Sequence, residues 1–254
     1  MVEDPNLKLQ PENLGDGRAK KRKNRPLEKM FNDVPPTYDL MNRLLTLGLD
    51  RRWRKRAAAI MMTHRPVSIL DLCTGTGDFA LSIGSRSTTQ NRIIGVDFSR
   101  PMLEKAEQKR ARIGINSVEF VLGDASKLPF ETAEFDAVGI SFAFRNLTYC
   151  NSLMASALSE VRRVLQPGGF FIGVESSQPS SRLIRGLRDM YVEIMAARLG
   201  AFVSGNKPAY RYLATSIRNF YSPEEITQML GANGFPNVDH YRLLLGVAGV
   251  FVAT

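Results

Sequence analysis

Short apolar runs alternate with amphipathic stretches along most of the chain beyond residue 66. The apolar runs have the length of buried strands, and the stretches between them carry apolar residues three or four positions apart, as helices do. The pattern predicts strands near 67–72, 92–96, 118–122, 136–141 and 169–175, with helices near 77–86, 100–113 and 151–165. This strand–helix order favours an α/β fold with a Rossmann-like doubly wound, mostly parallel sheet.

The two ends of the chain depart from this alternation. Residues 1–26 are polar and basic with few aromatics, which predicts a disordered tail. Residues 27–66 form a predicted N-terminal helical cap, in which we expect Pro35-Pro36 to separate two helices. Within the main domain, 67–254, we predict a helical insertion at 177–221 over the active site. A terminal antiparallel hairpin from Val238 to Ala253 completes a seven-stranded sheet.

Composition restricts the class of protein. The chain has 254 residues, 44% hydrophobic and 23% charged, as expected for one globular domain with an elaboration. Its two cysteines, Cys73 and Cys150, lack metal-ligand spacing, so we expect a reducing compartment and no metal site. No signal peptide or membrane-spanning run is evident. The net charge of +9 suits an anionic partner, either a nucleic acid or a membrane surface, and does not choose between them.

A glycine-rich turn follows the first predicted strand. Gly75 and Gly77 allow a sharp turn and the close approach of a ligand to the backbone. The turn lacks the third glycine of a dinucleotide fingerprint, because Ala80 occupies that place, and it has no Gly-Lys-Ser/Thr for a triphosphate. The strand–turn–helix context therefore predicts a nucleotide-type cofactor without identifying it.

Three acids follow three predicted strands. Asp71, Asp97 and Asp124 would place three carboxylates along one edge of the sheet. The acid about twenty residues beyond the loop is suited to ribose hydroxyls. Carboxylates attract a sulfonium and an ammonium and repel a pyrophosphate, so S-adenosyl-L-methionine is favoured over NAD. A plain Rossmann dehydrogenase stays open as the alternative.

Taken together, these features make the chain resemble class I S-adenosylmethionine methyltransferases. The motifs that carry this resemblance are Asp71–Asp78 (DLCTGTGD), Val96–Leu103 (VDFSRPML), Gly123–Phe130 (GDASKLPF) and Leu165–Gly169 (LQPGG). More narrowly, it is similar to the ubiquinone/menaquinone biosynthesis C-methyltransferase family of demethylmenaquinone methyltransferase type. The narrower motifs are Tyr38–Asn42 (YDLMN), Leu47–Arg54 (LGLDRRWR), Phe144–Thr148 (FRNLT) and Tyr210–Ile217 (YRYLATSI).

The resemblance implies methyl transfer from S-adenosylmethionine to a ring carbon of a polyprenylated hydroquinone in respiratory quinone biosynthesis. It implies cofactor contacts by Thr76, Asp97, Asp124, Ala125 and Ser141, to which the loop and strand ends add Asp71, Gly75, Gly77 and Phe98. Which quinol is used, demethylmenaquinol or a ubiquinone precursor, stays open. Two departures bear on the substrate: Cys73-Thr74 precede the loop glycine, and Glu175-Ser176-Ser177-Gln178-Pro179 lacks the usual aromatic and lysine.

Three residues are candidates for catalysis. Removing a phenolic proton with a pKa near about 10 activates the ring carbon, so a base and a cation are both useful. We predict Asp78 as the proton acceptor, alone or through water, with Arg145 and Asn146 holding the charge. The alternatives are a helix N-terminal acid at Asp78 and a purely structural ion pair between Arg145 and Asp78. The predicted substrate pocket is lined by Tyr38, Tyr210 and Tyr212, unless these are core tyrosines.

Partners and location complete the expectations. We predict a cytoplasmic protein attached peripherally to the inner, anionic face of a membrane. The basic N-terminal tail and a helix near 182–198 with interspersed arginines would make this contact. A methyltransferase for another small lipophilic or phenolic acceptor stays open, as does a homo-oligomer. A nucleic-acid methyltransferase or binder is disfavoured, because the fourth strand lacks Asn/Asp-Pro-Pro-Tyr and the basic residues are scattered.

Overall fold

A computed structural model describes residues 35–88, 90–149, 151–202 and 214–254. Within these ranges strands and helices alternate from residue 68 onward. The helices are α1 (Pro35–Leu45), α2 (Asp50–Thr63), α3 (Asp78–Gly84), α4 (Arg100–Ile113), α5 (Phe144–Thr148), α6 (Met154–Val164), α7 (Arg182–Phe202) and α8 (Pro223–Ala232). The strands are β1 (Ser68–Leu72), β2 (Arg92–Asp97), β3 (Val118–Leu122), β4 (Phe135–Ser141), β5 (Leu165–Ser176), β6 (Val238–Leu243) and β7 (Ala248–Ala253).

The strands form one seven-stranded sheet in the order β3-β2-β1-β4-β5-β7-β6. β1 pairs in parallel with β2 and β4, whereas β7 runs antiparallel to both β5 and β6. The predicted doubly wound sheet with a terminal hairpin is therefore confirmed. The chain order reverses between β1 and β4, so the crevice where such sheets bind ligands opens at their carboxyl ends.

Buried side chains cover both faces of the sheet. On one face, α2 and α3 pack Trp53, Met61 and Phe79 against the strands, in one apolar cluster. On the other face, α6 and α8 contribute Leu158 and Leu230 to a second cluster. Burial on both sides explains why the strands β1, β2, β4 and β7 are nearly continuous apolar runs in the sequence.

The helical cap differs from the prediction. Pro35 and Pro36 both lie in the first turn of α1, where a missing N–H removes no helical hydrogen bond. A break that was not predicted divides the stretch after the prolines into α1 and α2, where Leu47 (φ 53°) and Gly48 (φ 74°) adopt positive φ. Residues 27–34 lie outside the described ranges, so the helix expected before the prolines stays a prediction.

The second half of the chain also shows one longer element than predicted. β5 begins at Leu165, immediately after α6, and its pairing with β4 is irregular between Phe135 and Ala137. The predicted start of α8 is confirmed, because Ser222 Oγ accepts a hydrogen bond from the Glu225 N–H while the Glu225 carboxylate accepts one from the Ser222 N–H. None of the helices in the described ranges has both the length and the apolarity needed to cross a bilayer.

Candidate active site

The glycine-rich loop connects β1 to α3 at the switch point. Gly75 and Gly77 have φ of 54° and 80°, in the left-handed region that favours glycine. A Cβ on Gly77 would lie 2.7 Å from Phe120 Cζ and 2.8 Å from Ala106 Cβ. Glycine at position 77 thus lets the loop approach β3 and α4 closely, which sets where α3 begins.

Asp97 ends β2 beside this loop. Its Oδ2 accepts a hydrogen bond from the Gly75 N–H at 2.8 Å, and its Oδ1 accepts one from the Ser99 N–H at 2.9 Å. The side chain is mostly buried, and this burial raises the pKa of Asp97 despite the backbone hydrogen bonds. A carboxylate can accept about four hydrogen bonds, so both oxygens retain acceptor capacity for the hydroxyls of a ligand.

Asp71 does not lie on an open rim as the three-acid pattern suggested. It is 1% exposed, and its Oδ2 accepts hydrogen bonds from Thr74 Oγ1 at 2.5 Å and from the Ala80 N–H at 3.0 Å. Burial raises the pKa of Asp71 to about 7, and the nearby charge of Asp97 adds to this effect. Asp71 therefore holds the glycine-rich loop and the start of α3 through hydrogen bonds to Thr74 and Ala80. Its buried Oδ1 accepts no hydrogen bond from the described part of the protein.

The remaining predicted cofactor residues lie at the ends of β2, β3 and β4. Asp124 is exposed and accepts hydrogen bonds at 2.8 Å from both the Ser126 N–H and the Ser126 hydroxyl, next to half-buried Ala125. Phe98 is 40% exposed directly after Asp97. Ser141 ends β4, one strand across from the glycine-rich loop. These positions are compatible with one cleft that extends over the carboxyl ends of three strands.

Asp78 opens α3 and belongs to a charged cluster that the sequence analysis did not anticipate. Its Oδ1 lies 2.6 Å from Lys109 Nζ, and the same ammonium group lies 2.6 Å from Asp39 Oδ2 and 2.8 Å from Thr76 Oγ1. The Thr76 hydroxyl donates to Asp39 Oδ1 at 2.6 Å. This cluster, which we call the Lys109 cluster (Asp39, Thr76, Asp78 and Lys109), joins α1, the glycine-rich loop, α3 and α4.

The pKa of Asp39 reflects this cluster. Burial raises it, but hydrogen bonds from Lys109 and Thr76 and the charges of Lys109 and Arg54 together lower it below its ordinary value. Asp39 is therefore ionised at neutral pH and binds α1 to the glycine-rich loop.

Arg54 of α2 is a second cation beside Asp78. Its Nη1 lies 2.6 Å from Asp50 Oδ2 and 3.5 Å from Asp78 Oδ2, and its Nε donates to Ser141 Oγ at 2.9 Å. The guanidinium lies 5.1 Å from the ring centroid of Phe142 and is largely buried. Within the basic run 51–56, Arg51, Arg52, Lys55 and Arg56 are exposed to solvent, whereas Arg54 is buried.

Arg145 is not paired with Asp78. It lies buried at the start of α5, and its Nη1 is 3.0 Å from Glu175 Oε1 and donates to Ser176 Oγ at 3.0 Å. The Arg145 N–H also donates to Glu175 Oε2 at 3.1 Å. The alternative of an Arg145–Asp78 ion pair is therefore wrong, since Glu175 is the partner. Asn146 follows in α5, partly exposed, with its carbonyl accepting a hydrogen bond from Asn151.

Some predicted residues fall outside what the structure describes. Tyr38 lies within α1 but its side chain is not described, and Tyr210 and Tyr212 lie outside the described ranges. Two of the unexpected residues had a signal in the sequence. Asp39 directly follows Tyr38 in the YDLMN motif, and the four-residue spacing of Asp50 and Arg54 is that of a helical ion pair. Lys109 had no such signal.

Comparison with known proteins gives consistent results. The sequence matches the ubiE/COQ5 methyltransferase family over residues 18–254. It is 42% identical over 234 residues to a demethylmenaquinone methyltransferase of Deinococcus radiodurans, covering 92% of this chain and 94% of the relative. It is 41% identical over 223 residues to one of Thermus thermophilus, covering 88% and 98%. A ubiquinone/menaquinone biosynthesis C-methyltransferase UbiE of Desulfotalea psychrophila is 35% identical over 224 residues, with 88% of each chain covered.

Solved structures share the fold at low sequence identity. A SAM-dependent methyltransferase from Aquifex aeolicus has a TM-score of 0.52 and 17% identity, covering 74% of this chain and 81% of its own. A putative S-adenosyl-L-methionine-dependent methyltransferase from Methanococcus maripaludis has a TM-score of 0.57 and 17% identity, covering 89% and 92%. The chain therefore shares its overall fold with these two solved structures.

Proposed function

This chain belongs to the ubiE/COQ5 methyltransferase family, and on that premise we propose that it methylates a ring carbon of a polyprenylated hydroquinone in quinone biosynthesis. The methyl donor is S-adenosylmethionine, and the acceptor is demethylmenaquinol, with the equivalent ubiquinone precursor as a second acceptor. The names of relatives that align over nearly their whole length support this choice of acceptor.

The single observation that carries the proposal is the environment of Asp97. Its carboxylate is fixed by the N–H groups of Gly75 and Ser99, so it faces the glycine-rich loop with acceptor capacity left for ribose hydroxyls. Thr76, Gly77, Asp124, Ala125, Phe98 and Ser141 continue the proposed cofactor cleft. S-adenosylmethionine would supply an electrophilic methyl group on its sulfonium, and this fits an acidic site better than a pyrophosphate would.

On the acceptor side, we assign proton removal to Asp78. Its side chain is 28% exposed at the start of α3, within reach of a phenol or of an intervening water molecule. Arg145 would hold the resulting negative charge, with Asn146 beside it. Support comes from the Arg145 side chain itself, because its buried Nε makes no hydrogen bond to any residue that the structure describes. Tyr38, Tyr210 and Tyr212 stay as predicted lining of the quinol pocket.

The decisive experiment offers the purified protein both quinols. Demethylmenaquinol and a demethylated ubiquinol precursor are incubated with methyl-labelled S-adenosylmethionine, and the products are weighed by mass spectrometry. We expect a labelled methyl group on the ring of at least the menaquinol product. Exclusive labelling of an unrelated phenol, or no labelling of either quinol, would contradict the proposal.

Cofactor binding is tested separately by calorimetry with S-adenosylhomocysteine. Asp97→Ala removes the acceptor for the ribose hydroxyls and is expected to abolish binding. Glu119→Ala is the matched control, since Glu119 is an exposed acid on neighbouring β3 and should bind normally. Binding of a pyridine dinucleotide in place of S-adenosylhomocysteine would refute the choice of cofactor.

We further propose peripheral attachment to an anionic membrane at its inner, cytoplasmic face. α7 exposes four apolar side chains along one side, namely Leu183 (71%), Leu187 (51%), Met190 (56%) and Ile194 (41%). Exposed Arg182 and Arg185 flank them, which suits anionic headgroups. Arg188 does not belong to this surface, because it is buried and donates to the Ser177 carbonyl oxygen at 2.7 Å. The side chain of Arg198 and the basic tail lie outside the described residues.

Vesicle flotation tests this attachment. We expect the protein to float with vesicles that contain anionic lipid and to float less with purely zwitterionic ones. Leu187→Asp should weaken flotation, whereas Ile113→Asp, at an equally exposed apolar position at the end of α4, should not. Flotation that is insensitive to anionic lipid would contradict the proposed surface.

A further inference from the structure

Arg54 is a largely buried cation in the proposed cleft, and it has no assigned role in the proposed reaction. It reaches the carboxyl end of β4 from α2, where its Nε donates to Ser141 Oγ at 2.9 Å. Asp50 at 2.6 Å and the ring of Phe142 at 5.1 Å hold the guanidinium in place. Its Nη2 donates to no residue within the described ranges, and it is not among the fully buried atoms that lack a partner there. One edge of the guanidinium is therefore available to a ligand.

The other two cations near the cleft are engaged differently. Lys109 Nζ already contacts Asp39, Asp78 and Thr76, which use all three of its N–H donors. Arg145 is paired with buried Glu175 at 3.0 Å and makes none of its hydrogen bonds to a proposed cofactor residue within the described ranges. Among these three cations, all in the described part of the chain, Arg54 is thus the one that combines contact with a proposed cofactor residue, Ser141, and unused donors.

The charges of this region are compatible with a zwitterionic ligand. Three carboxylates (Asp39, Asp50 and Asp78) surround two cations (Arg54 and Lys109), which leaves one net negative charge. S-adenosylmethionine carries a sulfonium, an ammonium and a carboxylate, and hence one net positive charge. Its carboxylate needs a local cation within this acidic surrounding. Guanidinium is well suited to that task, because its parallel N–H groups match the geometry of a carboxylate.

We propose that Arg54 binds the carboxylate of the methionine part of S-adenosylmethionine. This inference rests on the proposed function, since it assigns one more contact to the same cofactor. It places the methionine end of the cofactor between the glycine-rich loop and Ser141, and the ribose at Asp97.

The test removes the carboxylate from the ligand as well as the arginine from the protein. Calorimetry compares S-adenosylhomocysteine with its decarboxylated analogue, S-adenosyl-3-thiopropylamine, on the full chain. For the unmodified protein, loss of the ligand carboxylate should weaken binding by about 10- to 100-fold, as for one charge-assisted interaction. The affinity of Arg54→Gln for S-adenosylhomocysteine should be lower than that of the unmodified protein by a similar factor. Its affinity for the decarboxylated analogue should equal that of the unmodified protein.

Controls separate this role from a structural one. Arg52→Gln makes the same charge change at an exposed position of α2 and should keep the full difference between the two ligands. Arg54→Gln leaves buried Asp50 without its partner, so the double variant Asp50→Asn/Arg54→Gln is measured in parallel. This double variant should also lose the difference in affinity between S-adenosylhomocysteine and its decarboxylated analogue. Arg54→Lys should retain part of it. A general loss of structure would weaken both ligands equally, which the comparison detects.

Three results would overturn the inference. If Arg54→Gln and the double variant keep the same difference between the ligands as the unmodified protein, Arg54 does not bind the carboxylate, and the proposed function is untouched. An unchanged affinity for S-adenosylhomocysteine with a lowered kcat would assign Arg54 to the acceptor instead. If the unmodified protein fails to bind S-adenosylhomocysteine at all, the proposed function fails together with this inference.

Discussion

The buried ion pair between Arg145 and Glu175 allows a quantitative test of both stability and catalysis. The two side chains are 6% and 1% exposed, and their charged atoms lie 3.0 Å apart. At an effective dielectric constant of about 20, this separation corresponds to about 5 kcal/mol of attraction. Removing one partner of such a pair costs about 3–5 kcal/mol, because the other charge stays buried without compensation. Glu175→Gln and Arg145→Met should each lower the free energy of unfolding by this amount.

Urea unfolding measures the effect, and the single tryptophan of the chain provides the signal. Trp53 is buried in the cluster between α2 and the sheet, so its fluorescence reports on global unfolding. The double variant Arg145→Met/Glu175→Leu replaces the pair with apolar side chains and should regain most of the lost stability. Glu134→Gln is the control, since its pair with Arg92 is half exposed and should contribute about 1 kcal/mol or less. Additive losses in the double variant would refute the reasoning.

The same double variant tests the proposed role of Arg145. Once it is shown to be folded and to bind S-adenosylhomocysteine normally, we expect its kcat to fall strongly, since it lacks the cation that we assign to the phenolate charge. A kcat equal to that of the unmodified protein would restrict Arg145 to a structural role.

Two further predictions concern the loop between β1 and α3. Gly77→Ala should destabilise the fold by about 2 kcal/mol or more in thermal unfolding, because Gly77 has a positive φ and an added Cβ would lie 2.7 Å from Phe120. The control Gly186→Ala, at a position of α7 with open space around it, should be neutral or stabilising. Equal effects of the two substitutions would contradict this prediction. Asp71, with a pKa of about 7, keeps its proton in the folded state at pH values where the unfolded chain has lost it, so its contribution to stability falls between about pH 4 and 7. The stability of Asp71→Asn relative to the unmodified protein, measured from urea midpoints, should therefore increase as the pH rises through this window. If the two proteins have parallel profiles of stability against pH, the shifted pKa is contradicted.

Local sequence was sufficient for the sheet and for the cofactor loop. Strands buried on both faces are continuous apolar runs, and a glycine turn followed by a helix start is a short-range pattern. Asp97 could be predicted for the same reason, because its distance from the loop along the chain follows from one strand–helix–strand unit. Its contact with Gly75 confirms that spacing.

The long-range partners of Lys109, Arg54 and Arg145 could not be predicted this way. Lys109 contacts Asp78 across 31 residues, Arg54 contacts Ser141 across 87, and Arg145 contacts Glu175 across 30. Such pairs depend on how the helices pack on the sheet. The basic run around Arg54 illustrates this, since neighbouring Arg52 and Lys55 are exposed while Arg54 is buried. Spacing along the chain does not separate the two cases.

α1 contacts two regions that the proposed reaction needs. Through Asp39 it is bound to Thr76 of the glycine-rich loop and to Lys109, and through the Leu44 carbonyl oxygen it accepts a hydrogen bond of 2.5 Å from the Tyr191 hydroxyl of α7. α7 carries the apolar surface that we assign to the membrane. If α7 binds lipid as we propose, a displacement of α1 would be transmitted to the glycine-rich loop through Asp39, which is held by hydrogen bonds from Thr76 and Lys109. In the proposed reaction, α1 therefore connects the surface that we assign to the membrane with the loop that we assign to the cofactor.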